Sequence, residues 1–272
     1  MSLGYLATVV ALTEKPSASI GGGSSHIRGL IPMEGYSDLL LYFAIYSFVG
    51  WCLETIYVSI EERKLVNRGF LTGFFCPIYG FGALLIVFIS HVVSVVVIDY
   101  SEALMTSILL SVFLVTALEY ITGVLMEKVL KCRFWDYSDE GPNLNGYVCL
   151  KFSIVWGILA FVLLQILHPA VSQVVLRIPL STRNSIAIIL LIYFFVDTAK
   201  STVDALDLRD VIFNYSNLSI KRYREKITQA RRLFLAFPRL RILNPGTNNR
   251  DIKNILNERW DKIKVEIKSR FR

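Results

Sequence analysis

Five stretches between residues 38 and 206 are each long and apolar enough to cross a bilayer, and this limits the chain to a membrane architecture. A hydrocarbon core about 30 Å thick needs roughly 20 apolar residues in a helix. The stretches at 38–60, 77–98, 103–127, 152–176 and 185–206 meet that requirement. No Asp, Glu, Lys or Arg lies between Phe70 and Ile98, or from Phe152 to Leu176, unlike the mixed faces of soluble helices. The fold class expected is all-α: a polytopic membrane helix bundle of five transmembrane helices with a basic helical tail.

Lys and Arg orient the bundle, because cytoplasmic loops keep positive charge during insertion. Arg63, Lys64 and Arg68 follow the first stretch and Lys128, Lys131, Arg133 and Lys151 the third, whereas residues 99–102 carry no basic side chain. From Asp207 onward there are 17 basic and 7 acidic residues. The expectation is a multi-pass cell-membrane protein with its N-terminus outside and its C-terminus cytoplasmic. Of the net charge of +7, the tail holds +10 and residues 33–206 hold −4. Such a tail beside a membrane span suits the lipid bilayer surface, with no nucleic acid partner.

Three regions follow: a leader over 1–35, a transmembrane domain over 36–206 and a tail over 207–272. The leader holds a short apolar run from Leu3 to Leu12, Pro16 and three glycines from Gly21, and reads as a flexible leader. Met33 is an alternative start. The tail reads as two helical pieces broken at Pro238 and at Asn244-Pro245-Gly246. The second has Ile252, Ile255, Leu256, Trp260, Ile263 and Ile267 on one face.

Charge inside the bilayer is rare, and two stretches each hold one glutamate at similar depth. Glu54 in Leu53-Glu54-Thr55-Ile56 answers to Glu119 in Leu118-Glu119-Tyr120-Ile121. Asn67-Arg68-Gly69-Phe70 leads to Tyr79-Gly80 as Asn145-Gly146-Tyr147 leads to Trp156-Gly157, with the same spacing between the paired glycines. The match points to a parallel internal repeat of two helical hairpins, with a site between them. A carboxylate at this depth costs about 2.5–3.5 kcal/mol and finds a partner in the bundle interior. Glu54 and Glu119 are thus candidates for an intramembrane polar site; the alternative role is helix packing through a Tyr or Thr. If they approach each other, a shared proton or bound cation relieves their repulsion. Glu127, beside Lys128, reads as a solvated helix-end charge.

Around the glutamates lie two unusual loops. The first, Asn67 to Gly80, is too apolar for an ordinary linker and reads as a re-entrant or interfacial segment, or as an early start of the second helix. The second carries Trp135-Asp136-Tyr137 and Asn143 to Gly146, either a docking surface with Asp136 reaching Arg68 or an interfacial anchor. Tyr79, Asp197 and Lys200 are secondary candidates; Asp197, Lys200, Asp204 and Asp207 share one helical stripe that allows Asp197–Lys200 pairing. Cys52, Cys76, Cys132 and Cys149 have no CxxC spacing and read as free thiols, with no metal site. His91 and His168 read as hydrogen-bonded helix-end residues. No hydrolase, metal or nucleotide-binding motif occurs, so no enzyme activity and no cofactor is expected.

Gly50-Trp51-Cys52-Leu53-Glu54, Asn67 to Gly73, Pro77-Ile78-Tyr79-Gly80-Phe81-Gly82, Trp135-Asp136-Tyr137-Ser138 and Asn143-Leu144-Asn145-Gly146 occur in that order. Together they resemble the bacterial ABC-transporter permease family called type IV or CmpB-like, over about residues 36–205. The chain departs from the pattern at Phe74-Phe75-Cys76, where a Gly-Pro style opening is expected before Pro77. The resemblance implies membrane transport driven by a separate ATPase subunit, which would dock on the loops holding Asn67, Arg68, Gly69, Trp135, Asp136, Tyr137, Asn143 and Asn145. A homodimer would enlarge a five-helix pathway. The alternative is a non-transporting membrane scaffold or regulatory protein.

Overall fold

The computed structural model describes residues 35–213, 232–233, 236–237 and 240–242, all within one compact unit, Pro32–Arg272. The leader and the helical pieces expected around Asn244 and Trp260 lie outside the described residues. Five helical spans dominate: α1 (Tyr36–Glu62), α2 (Pro77–Val96), α3 (Tyr100–Leu130), a fourth over Leu150–Arg177, and α6 (Leu180–Phe213). The fourth span consists of α4 (Leu150–Val162), a π-helical turn (Leu163–Leu167) and α5 (His168–Arg177). Pro169 supplies no N–H to the ladder, and the widened turn before it accommodates that loss. Strand is confined to two-residue pieces: β1 (Cys132–Arg133), β2 (Asn143–Leu144), β3 (Val148–Cys149) and β4 (Arg241–Ile242).

Alternation along the chain places residues 63–76, residues 131–149 and the end of α6 at one end of the bundle, here the loop end. α1 packs on α2 and α6, and α3 on α2 and α4. One core cluster joins the helices through Leu41, Tyr42, Ile86, Val115, Trp156, Ala160, Val175 and Ala187. Phe88, Leu109, Phe113, Ile189 and Phe195 stay exposed, as suits a lipid-facing surface.

The repeat is visible in the packing. A Cβ on Gly80 of α2 would run into Ser47 and Phe43 of α1, and one on Gly157 of α4 would meet Val112 and Ile108 of α3. Ser47 and Val112 each lie seven residues before their own glutamate, and Phe43 and Ile108 each lie eleven before it. The same helix crossing is therefore built twice, each with glycine at the close approach. Both first helices also end on a basic residue in the left-handed region, Arg63 at φ 51° and Lys131 at φ 55°.

At the far end, Arg183 Nη1 of α6 donates to Asp38 Oδ1 of α1 at 2.7 Å, and both side chains are buried. Deeper in, the Tyr46 hydroxyl and His168 Nδ1 lie 2.6 Å apart, so His168 is the hydrogen-bonded structural residue its position implied. The four cysteines are free thiols. Glu127 departs from expectation: it accepts from Arg133 Nε at 2.5 Å because the chain turns back at Lys131 and brings that arginine over the helix end.

Candidate functional site

Glu54 and Glu119 occupy corresponding positions on α1 and α3, and each accepts hydrogen bonds from the helix that follows it. Tyr79 Oη donates to Glu54 Oε1 at 2.9 Å, and Trp156 Nε1 donates to Glu119 Oε2 at 2.9 Å. Tyr79 and Trp156 each precede the glycine of their crossing, so the close approach that glycine permits is what brings a donor to the carboxylate. The two aromatic rings meet, with centroids 5.2 Å apart. The carboxylates are thereby joined through one Tyr–Trp contact between the repeats.

Each carboxylate also takes a bond from its own loop. Arg68 Nε reaches Glu54 Oε2 at 3.4 Å, and Tyr137 Oη donates to Glu119 Oε1 at 3.3 Å. Burial first, then the negative charges of Glu119 and Glu54, hold the Tyr137 phenol above its ordinary range, so it remains a donor. The residue after each glutamate is used alike: Arg68 N donates to Thr55 Oγ1 at 3.3 Å, and Asn145 Nδ2 to Tyr120 Oη at 3.2 Å. Where the first repeat has Arg68 the second has neutral Asn145, so only Glu54 is given a cation by its loop. The site is asymmetric in charge although symmetric in backbone.

Other candidates fall into place around this centre. Asn67 Oδ1 accepts from Trp51 Nε1 at 2.7 Å and pins the first loop to α1. Trp135 Nε1 donates to the Tyr147 carbonyl at 2.9 Å, and Asn143 Oδ1 accepts from Gly146 N at 3.1 Å, closing the second loop on itself. Asn145 at φ 54° and Gly146 at φ 74° form the turn between β2 and β3. Asp136 does not supply the expected bond to Arg68: it accepts from Ser138 N at 2.9 Å and lies 3.8 Å from Arg133, while Arg68 turns inward to Glu54.

Helix α2 begins at Pro77, so the first loop is not an early start of that helix. Its backbone is fixed by Asp197 of α6, which accepts from Thr72 N and Gly73 N, both at 2.9 Å. Asp197 therefore serves the loop, and Lys200 points into the exposed surface without taking the expected intrahelical pair. The departure at Phe74-Phe75-Cys76 has a packing role: the Phe74 ring lies tilted against Trp51 with centroids 4.9 Å apart, and the Phe75 ring lies 5.0 Å from that of Phe194 of α6. Among the described residues no group of acidic, His or Cys side chains is arranged to hold a metal ion.

Three elements escaped sequence reasoning. Trp156 is a donor to the site, and its position as the repeat-mate of Tyr79 was the available signal. Asp38 and Arg183 are opposite charges in the first turns of two spans that start at the same end. Arg232 left no signal: its guanidinium donates to the carbonyls of Gly69 at 3.1 Å and of Phe70 and Leu71 at 2.5 Å, contacts more than 160 residues apart in sequence. Neither the curated proteins nor the solved structures contain a match to the chain. A protein-family model matches residues 41–202, more than half of the 272 residues, and spans both glutamates, both loops and Asp197. The chain therefore belongs to the family described as Putative ABC-transporter type IV, as a membrane component of that class of transport system.

Proposed function

We propose that the chain is the permease component of a transport system coupled to a separate ATPase subunit, with Glu54 and Glu119 lining its polar site. The carrying observation is the Tyr79–Trp156 contact, which places two carboxylates, one from each repeat, around a single junction inside the bundle. Interfaces between repeats are where sites form in transporters of this build. In this reading residues 63–76 and 131–149 face the cytoplasm, as their Lys and Arg content requires, and form the docking face for the ATPase. The chain itself catalyses nothing, and two copies enlarge the pathway.

A scaffold or regulatory reading has one observation in its favour: each carboxylate is already satisfied by two donors of its own repeat. Gentle-detergent purification from the native host, with mass spectrometry and an ATPase assay, separates the two. The permease reading expects an ATPase to accompany the chain reproducibly, with an activity that falls several-fold in Asn67→Ala or Trp135→Ala. It also expects Glu54→Gln and Glu119→Gln to abolish stimulation at unchanged abundance. A folded protein of which no form recovers an ATPase overturns it in favour of the scaffold.

A further inference from the structure

The docking face just described is already occupied by the chain's own tail. Arg232 caps three consecutive carbonyls of the first loop, Gly69, Phe70 and Leu71. Four residues later, the Ala236 carbonyl accepts from Arg68 Nη1 at 2.7 Å, and the Phe237 ring lies 4.5 Å under the same guanidinium. Phe237 also meets Phe134 of the second loop edge to face at 4.8 Å, and Phe134 meets Phe70 of the first at 5.8 Å. Finally β4 pairs antiparallel with β1, Cys132 opposite Ile242 and Arg133 opposite Arg241. Leu233, Ala236 and Leu240 are buried with Leu130, Cys132 and Ala205 in one cluster. These contacts differ in kind, and together they tie the tail to the loops of both repeats.

Burial lowers the basicity of Arg232, a cost that its carbonyl partners and the charges of Asp197 and Asp204 offset. A surface-lying basic tail would incur no such cost. The family match ends at residue 202, so this segment lies outside what the family model describes.

We propose that the tail residues Arg232, Leu233, Ala236, Phe237 and 240–242 form an autoinhibitory latch, which closes the loop end by joining the two repeat loops and holding Arg68 against Glu54. The partner it excludes is an ATPase subunit; that part rests on the permease reading. The surface would accept in trans what it accepts in cis: an arginine facing three backbone carbonyls, an aromatic side chain five residues later, and an extended segment along β1. Displacing the tail removes the Ala236 carbonyl and the Phe237 ring from Arg68 and frees the guanidinium to leave Glu54.

The test uses full-length protein in lipid nanodiscs, comparing wild type with Arg232→Ala, with Phe237→Ala, and with Lys151→Ala as a control on an exposed loop-end ion pair. Amide exchange is read by mass spectrometry, and ATPase recovery from host membranes is measured alongside. The latch expects exchange to rise at least tenfold over residues 66–72 and 131–135 together in both tail variants and not in the control, with α2 and α3 unchanged as proof of folding. It also expects several-fold more co-purified ATPase. Exchange that rises in one loop only, or in neither, overturns the latch. Loops that open while the recovered ATPase stays constant overturn the exclusion and leave the permease reading intact. If no ATPase accompanies any form, the permease reading fails, and joint opening of the two loops alone decides the latch.

Discussion

Glycine at a helix crossing and a donor beside it form the smallest working unit here, and the two copies are not equally tight. Any side chain at Gly80 collides with Ser47 and the Phe43 ring, whereas a Cβ at Gly157 sits 3.0 Å from a Val112 methyl and in ordinary contact with Ile108 at 4.0 Å. Gly80→Ala is therefore expected to cost about 1–3 kcal/mol by overpacking. Gly157→Ala is expected to be near neutral, since a helical alanine regains about 1 kcal/mol of propensity. Thermal unfolding in detergent measures the pair, and equal losses would show that the crossings tolerate volume alike. At this scale the glutamates were legible because charge in an apolar stretch stands out. Their donors were half legible: Tyr79 and Trp156 appeared as a repeat match, but spacing does not reveal which way a ring points.

Among elements, the first loop shows why an apolar, non-helical segment is stable at a membrane boundary. Its amides at Thr72 and Gly73 go to Asp197, its carbonyls to Arg232 and its phenylalanines to Trp51 and Phe194. Hydrogen bonds to a charged acceptor contribute about 1.5–3 kcal/mol each. In Asp197→Asn one carboxylate oxygen becomes an amide facing an N–H, so exchange at Thr72 and Gly73 should accelerate tenfold or more, well beyond any change at residues 131–135. That selectivity separates the clamp from the tail, which acts on both loops. The loop's irregularity was legible in its composition. Its partners were not, because Asp197 on an isolated helix is equally able to pair with Lys200, and only the packing of α6 on α1 decides against it. The second loop contributes a chemical reporter. Burial pushes the Cys132 thiol up to about 12, so below that pH the reactive thiolate is the minor form. Alkylation of Cys132 should rise about tenfold per pH unit from 7 to 10. An ordinary thiol levels off once its pKa, about 8.5, is passed. A plateau at Cys132 near pH 9 would show that the cluster around it opens in solution.

For the whole molecule, five spans and their order were readable because bilayer thickness imposes length directly on sequence. The extended ends of the helices and the docking of Arg232, Ala236, Phe237 and β4 were not, since both depend on partners distant in the chain. Orientation is the molecular property that the permease reading most needs, because an ATPase meets only the cytoplasmic end. The loop end carries Arg63, Lys64, Lys128 and Lys131, while residues 97–102, around the start of α3, have only Asp99 and Glu102 as charges. The permease reading takes this bias, through retention of positive charge during insertion, as placing the loop end inside. The buried Arg183–Asp38 pair does not contradict this, because its charge is cancelled locally and counts little toward the bias. Ser101 and Lys64 are both exposed, at opposite ends of the bundle. In intact cells a membrane-impermeant maleimide should label Ser101→Cys and spare Lys64→Cys, and permeabilisation should bring Lys64→Cys to the same level. The reverse pattern would place the loops outside, away from any nucleotide, and would remove the physical basis for ATPase coupling while leaving the repeat and its carboxylate site as described.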